Sequence, residues 1–392
     1  MRYSREQYFR IWLASVDGIG ARGFARLIAR YGSAESVWEQ FGEEMRWIGE
    51  SAWRQISAAH DRDKAAALIE RIDKCGASVI FQEDGEYPPL LKEIADPPPL
   101  LYVRGRRDIA DEWCVAIVGT RQPTAYGLRM ARQIGGDLAR AGAAVISGFA
   151  RGIDTAAHTA AVAAGGRTVA VLGCGVDVVY PPENIELFER ILGADGSVIS
   201  EFPPGTEPLS RHFPSRNRLI SGISRSVLIV EALKGSGVLH TISAAVDQNR
   251  EVFVLPGQAD SPHSELNHRL ARDGARIITS ATEILEDLHA EPMPRPKQTT
   301  LGEAVKTAKK TPASSKPSTK RKAKAAPAEP PAESPTPSEP AVDLTEDEAR
   351  IYEALKSGIP SSNVDNMVEL TGLSAADVNT VLTMLAVKGI IH

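Results

Sequence analysis

Val115-Ala116-Ile117-Val118-Gly119-Thr120-Arg121 decides the reading of the chain: a short, unbroken apolar run ends at a glycine, a hydroxyl and a cation. Runs of the same kind recur as Ala144-Val145-Ile146-Ser147, Thr168-Val169-Ala170-Val171-Leu172, Gly196-Ser197-Val198-Ile199-Ser200, Ser226-Val227-Leu228-Ile229-Val230 and Val252-Phe253-Val254-Leu255. Near-continuous apolar runs of this length fit strands buried on both faces, as in a parallel sheet flanked by helices. Residues 126–141 and 154–164 read as crossover helices. Residues 81–290 are therefore expected to form a doubly wound, Rossmann-like α/β domain with a parallel sheet.

Outward from this centre the pattern changes. Residues 1–80 carry apolar positions at helical spacing (Tyr8, Ile11, Trp12, then Ala65, Leu68, Ile69, Ile72), with no strand-like run before Ser78-Val79-Ile80-Phe81. Within them Val16-Asp17-Gly18-Ile19-Gly20 leads into Ala21-Arg22-Gly23-Phe24-Ala25-Arg26-Leu27-Ile28, the look of a helix-hairpin-helix (SAM-like) unit. Its glycines serve either a phosphate-facing helix N-terminus or a plain helix–helix corner. Residues 291–342, rich in Pro, Ala, Ser, Thr and Lys, read as a disordered linker, either a solvated spacer or a weak phosphate tether. Residues 343–392 return to helical periodicity, with a capping box at Thr345 and Glu348.

Composition bounds the function. The 392 residues are 43% apolar, enough for a core in each of two or three domains, and the net charge of −5 excludes a partner held by bulk positive charge. Any nucleic-acid site is thus a local patch. Residues 1–10 hold no apolar segment of signal-peptide type and no window approaches a membrane span, so a cytoplasmic protein with no membrane partner is expected. Cys75, Cys114 and Cys174 are far apart with no CxxC and no Cys/His cluster, which argues against a disulfide framework or a structural metal site.

Ligands of doubly wound sheets bind beyond the carboxyl ends of the strands, so the turns there carry the chemistry. Gly119-Thr120-Arg121 and Ser147-Gly148-Phe149-Ala150-Arg151 combine glycine, hydroxyl and arginine ahead of a helix, which suits phosphate. Neither is GxGxxG and no acidic residue closes the second strand, so a dinucleotide cofactor is disfavoured and none is expected. The densest cluster is Arg211-His212-Phe213-Pro214-Ser215-Arg216-Asn217-Arg218. Arg216 and Arg218 can grip phosphate bidentately, Asn217 can meet a base edge and Phe213 can stack on an unpaired base. The competing reading makes Phe213 core and one arginine the partner of a carboxylate such as Glu231.

Five motifs in order give the chain a family resemblance. Ala116 to Arg121, Ser147 to Asp154 with Ala157-His158, Ala170 to Asp177, Phe213 to Arg218 and Pro256-Gly257 resemble the DNA-processing protein A (DprA/Smf) family. The resemblance implies a protein that binds incoming single-stranded DNA in natural transformation, loads the RecA recombinase onto it, forms a homodimer and performs no reaction on the DNA. It also implies an N-terminal helical domain and a small C-terminal winged-helix domain. Carried over by position, the DNA site comprises Gly119, Arg121, Ser147, Gly148, Arg211, Phe213, Arg216, Asn217 and Arg218. The chain departs from the family at Ser210, where a lysine is common and Arg211 supplies the nearest charge, at Val238 and His240, and at Glu265-Leu266-Asn267-His268-Arg269-Leu270, near where the family dimerises. Residues 375–387 lack a basic recognition helix and the chain stops where a wing would begin, so protein contacts or a passive cap are expected of the last unit.

Catalysis is weighed against these residues. Asp154 and His158 share a helix face, either as an acid–base pair or, the favoured reading, as a capping carboxylate and a buried histidine. No GxSxG elbow or metal-ligand spacing is present, so no catalytic residue is assigned. The rival is a nucleotide phosphoribohydrolase, for which Glu231 would be the acting carboxylate, but Pro256-Gly257-Gln258-Ala259-Asp260 lacks the glycine, threonine and glutamate such a loop needs.

Overall fold

The computed structural model describes residues 2–109, 113–233 and 236–289, with positions 347, 350–353, 371, 373, 378 and 381 of the C-terminal segment. The chain divides into two compact units, Met1–Ala313 and Ser314–His392. In the second, Ile351 and Val378 are buried. The stretch read as a linker, and the residues read as lacking a basic recognition helix and a wing, lie outside the described residues.

Nine strands form one sheet: β1 (Ser78–Phe81), β2 (Leu100–Gly105), β3 (Cys114–Val118), β4 (Ala144–Ser147), β5 (Thr168–Val171), β6 (Ser197–Ser200), β7 (Ser226–Ile229), β8 (Glu251–Val254) and β9 (Arg276–Ile277). Their order is β1-β2-β6-β5-β4-β3-β7-β8-β9. From β6 to β9 every pair is parallel, whereas β1–β2 and β2–β6 are antiparallel. The six apolar runs of the sequence are strands β3 to β8, and the doubly wound α/β expectation holds. β2 hides behind Pro97-Pro98-Pro99, and β9 is two residues long, too short for periodicity to find.

Alternation along the central strands shows why both faces need cover. Ala116 and Val118 join Ile146, Val171 and Ile229 in one core, while Val115 and Ile117 join Val145, Leu228 and Phe253 in the other. Helices 125–140 and 153–163 close the second face through Ile134, Leu138 and Ala157; helices 212–223 and 238–247 close the first through Leu219, Ile223 and Ile242. The chain builds outward from β3 to β6, then restarts on the other side of β3 with β7. That reversal opens a crevice at the carboxyl ends of β3 and β7.

The first 74 residues are helical, with helices Arg5–Ser15, Gly20–Tyr31, Ala34–Glu39, Glu50–Ala59 and Arg62–Lys74 around Phe9, Trp12, Leu27, Val37, Trp38 and Ile56. Ser4 and Gln7 form the capping box that starts the first helix. Gly18, at φ 76°, makes the corner between the first two. Residue 80, where the sequence reading divides the chain, falls inside β1, so the chain leaves its helices already part of the sheet.

Candidate nucleic-acid interface

A cleft of ≈590 Å³ lies at the reversal point, lined by the turn after β3, the start of helix His212–Ile223 and the start of helix Val238–Asp247. Neither of these two helices has a side-chain cap on its first N–H groups, so both direct partial positive charge at the cleft.

Arg121 is exposed on the first turn, and among the described residues it has no carboxylate partner. Its guanidinium lies 5.7 Å from the Phe213 ring centroid, and Phe213 in turn lies 5.7 Å from the Tyr180 ring at 36°. Cation, half-buried ring and second ring thus share one wall. Stacking engages the guanidinium face and leaves its N–H edges free for phosphate. Tyr180 was not selected from the sequence, although its place before Pro181-Pro182 in the loop after β5 was a signal.

The other arginines of the cluster are placed differently from Arg121. Arg216 is 4% exposed. Its Nη1 donates to the carbonyl of Gly148 at 2.7 Å and to that of Val171, tying the ends of β4 and β5, and its Nε donates to Asn217 Oδ1 at 3.2 Å. Burial pulls the Arg216 pKa down to about 10, with Asp154 countering. Arg218 donates to Glu201 Oε2 at 2.7 Å and approaches Asp96 Oδ2 at 3.2 Å. Arg218 is committed to two carboxylates, while Arg216, braced through Nη1 and Nε, still lines the cleft. The competing reading was right in kind but wrong in partner, because Glu231 is instead held by Thr124, whose N–H and Oγ1 donate to it at 2.9 and 2.5 Å. Glu231 is 3% exposed and fixes Thr124, the N-cap of helix 125–140.

The remaining predicted residues separate similarly. Ser147 is fully buried and donates to Ile117 O at 2.6 Å, joining β4 to β3; it does not face the cleft. Gly148 is buried, donating its N–H to Asp154 Oδ2 at 3.0 Å. Gly119 lines the cleft, yet its lack of a side chain serves packing, since a Cβ would meet Ile153 at 2.6 Å and Glu231 O at 2.9 Å. Asn217 lines the cleft with its amide donated to Gly237 O at 3.3 Å. Arg211 lies outside it, exposed and 3.4 Å from Asp17 of the hairpin turn, while Ser210 lines the cleft. Of the nine residues, Arg121 and Phe213 face the cleft as binding groups, Gly119, Arg216 and Asn217 also line it, and the rest brace it or lie beside it.

His158 is the buried, hydrogen-bonded residue favoured from the sequence, whereas Asp154 does not cap helix 153–163, which starts at Gly152 with no side-chain cap, and instead holds the preceding loop. Asp154 accepts from the N–H groups of Gly148 and Ala150 at 3.0 and 3.3 Å, and burial lifts its acid to about 6 against the pull of Arg216. Thr168 donates its hydroxyl to Val145 O, so His158 Nδ1 donates to Thr168 Oγ1, at 2.7 Å. Burial, helped by the Arg216 charge, holds the His158 pKa down at about 3. The native state therefore keeps this imidazole neutral where the unfolded chain protonates it, and the stability it contributes is lost as pH falls from 6.5 toward 3. Relative to the parent, a His158→Gln variant is expected to gain about 2 kcal/mol between pH 7 and pH 5, at 1.36 kcal/mol per unit below 6.5. Urea denaturation at the two pH values measures it; an unchanged difference would mean that His158 titrates normally. Burial also pushes the Cys174 thiol up to about 11, far from a nucleophile's range.

The comparisons with known proteins agree with this architecture. The family described as DNA recombination-mediator protein A matches residues 78–289, and the DprA winged helix domain matches residues 324–392. Protein Smf of Synechocystis is 33% identical over 400 residues, covering 100% of this chain and 97% of its own. The DNA processing protein DprA of Streptococcus pneumoniae is 41% identical over 232 residues, 57% of this chain and 82% of its own. The X-ray structure of DprA from Streptococcus pneumoniae superposes with a TM-score of 0.64 at 31% identity, covering 72% of this chain and 99% of that one. With a match over the whole sheet domain and a relative spanning the full length, the chain belongs to the DNA recombination-mediator protein A (DprA/Smf) family.

Proposed function

We propose that this protein binds single-stranded DNA in the cleft at the carboxyl ends of β3 and β7 and hands the strand to the RecA recombinase, as a cytoplasmic, non-enzymatic homodimer acting in natural transformation or general recombination. The observation that carries the reading is Arg121, exposed beside the Phe213 and Tyr180 rings and without a carboxylate partner among the described residues. A backbone phosphate meets the guanidinium edge while an unpaired base lies on an aromatic face. Duplex DNA fits poorly because its bases are already stacked on each other. The names of the relatives, DNA processing protein and recombination mediator, support the DNA and recombinase halves of the reading.

Fluorescence anisotropy with single- and double-stranded oligonucleotides of one sequence, across a salt series, tests it. The single strand should bind more tightly, with affinity falling as salt rises. Arg121→Ala should weaken it about 10- to 100-fold, the 1.5–3 kcal/mol of a charge-assisted contact, with no change in melting temperature. Equal, weak binding of both forms, or an unchanged Arg121→Ala variant, would overturn the assignment.

A further inference from the structure

Helix Gly20–Tyr31 presents Arg22, Arg26 and Arg30, all exposed, at i, i+4 and i+8, and it contains no acidic residue. Four residues advance a helix by about 6 Å, so the three guanidiniums form a row of regular interval along one face. Among the described residues none of the three has a carboxylate partner. Of the acids near Trp47 and the Gly18 turn, Glu43 and Glu50 pair with Arg46, and Asp17, at the head of the row, pairs with Arg211. Trp47 lies under two of the arginines, 5.2 Å from Arg26 and 4.6 Å from Arg30. The indole holds both heads in place and leaves their N–H donors outward.

The row is continuous with the cleft. Ser210 lines the cleft, and its neighbour Arg211 lines a second hollow of ≈370 Å³ together with Asp17, Gly18 and Gly20 of the turn from which the arginine helix starts. His212 closes this second hollow, 7% exposed and with Nδ1 unpartnered.

We infer that the N-terminal helical unit is a second single-strand contact, in which Arg22, Arg26 and Arg30 bind successive backbone phosphates of the strand leaving the cleft past Arg211 and the Gly18 turn. The path rests on the single-strand reading of the cleft; the arginine row does not. Evenly spaced cations without acids between them match a polyanion of regular repeat better than a folded protein surface, whose charges are mixed.

Length separates the two contacts. The full chain is titrated by anisotropy with a short oligothymidine of roughly six nucleotides, at the low end of single-strand site sizes, and with one several times longer. The triple variant Arg22→Ala, Arg26→Ala, Arg30→Ala should bind the short probe as the parent does. It should lose about tenfold or more for the long one at low salt, with a salt slope shallower by about 2, since each phosphate contact contributes about 0.7. Arg22→Ala alone, which disturbs no stacking on Trp47, should lower the slope by about 0.7 and guards against a folding defect in the triple variant. Arg121→Ala should weaken both probes. Native affinity and slope for the long probe in the triple variant, with Arg121→Ala still weak, would overturn the second contact and leave the cleft standing, the arginines then belonging to an acidic protein partner. Equal loss on both probes would overturn it too. A silent Arg121→Ala with a length-dependent triple variant would overturn the cleft and keep the arginine row.

Discussion

Replacing Arg216 with alanine is expected to destabilise the Met1–Ala313 unit by about 3–5 kcal/mol, the cost of stranding the partners of a buried charge. The guanidinium holds the carbonyls of Gly148 and Val171 at the ends of β4 and β5, and it is the charge facing the buried Asp154. Alanine removes this donor from both carbonyls and the counter-charge from Asp154. Urea denaturation without DNA measures the loss, and adding Asp154→Asn should recover part of it by removing the orphaned charge. The opposite pattern, stability within about 1 kcal/mol of the parent but single-strand affinity lost, would restore Arg216 to the phosphate-binding role its motif suggested.

Gly152→Val should lose stability and strand affinity together. Gly152 has φ 80°, and a Cβ there would meet Thr120 O at 2.5 Å, Pro123 Cδ at 2.8 Å and the carbonyl carbon of Arg121 at 2.9 Å. Backbone strain and overpacking of about 1–3 kcal/mol each put the expected loss near 2–6 kcal/mol, and relief comes only by moving the turn that carries Arg121. Gly165→Ala is the matched control: its φ is 71° but nothing lies within 4 Å, so it should cost about 1 kcal/mol and leave binding intact. If Gly152→Val kept native affinity, the position of Arg121 would not depend on this contact.

The sheet was legible because strands buried on both faces are apolar along nearly their whole length, a signal that needs no partner to be seen; β3 to β8 all carry it. The place of the site followed from strand order. What the sequence could not separate was which arginines face water. Arg121, Arg216 and Arg218 all stand in turn or helix-start motifs, and only the position of Gly148, Val171, Glu201 and Asp96 in space decides that two of them are internal braces. Glu231 misled for the same reason: its role in fixing a helix N-cap depends on Thr124, more than a hundred residues away along the chain. Residues 22, 26 and 30 fall on one helix face by spacing alone, but that Glu43, Glu50 and Asp17 are taken up by Arg46 and Arg211 emerges only in the fold.

The antiparallel pair β1–β2 gives the molecule a guarded border. Parallel strand β6 would otherwise end the sheet with a row of open N–H and C=O groups, a template for another chain to add to. β2 covers it, and β1, reached directly from the last N-terminal helix, covers β2. A proteolytic cut between β1 and β2 would therefore do more than free a small appendage: once β1 departs with the helices, β2 becomes a sticky rim, and the remaining fragment should self-associate. In that sense the N-terminal helices act as the anchor of a built-in guard against strand-to-strand aggregation, a role independent of anything they do with DNA.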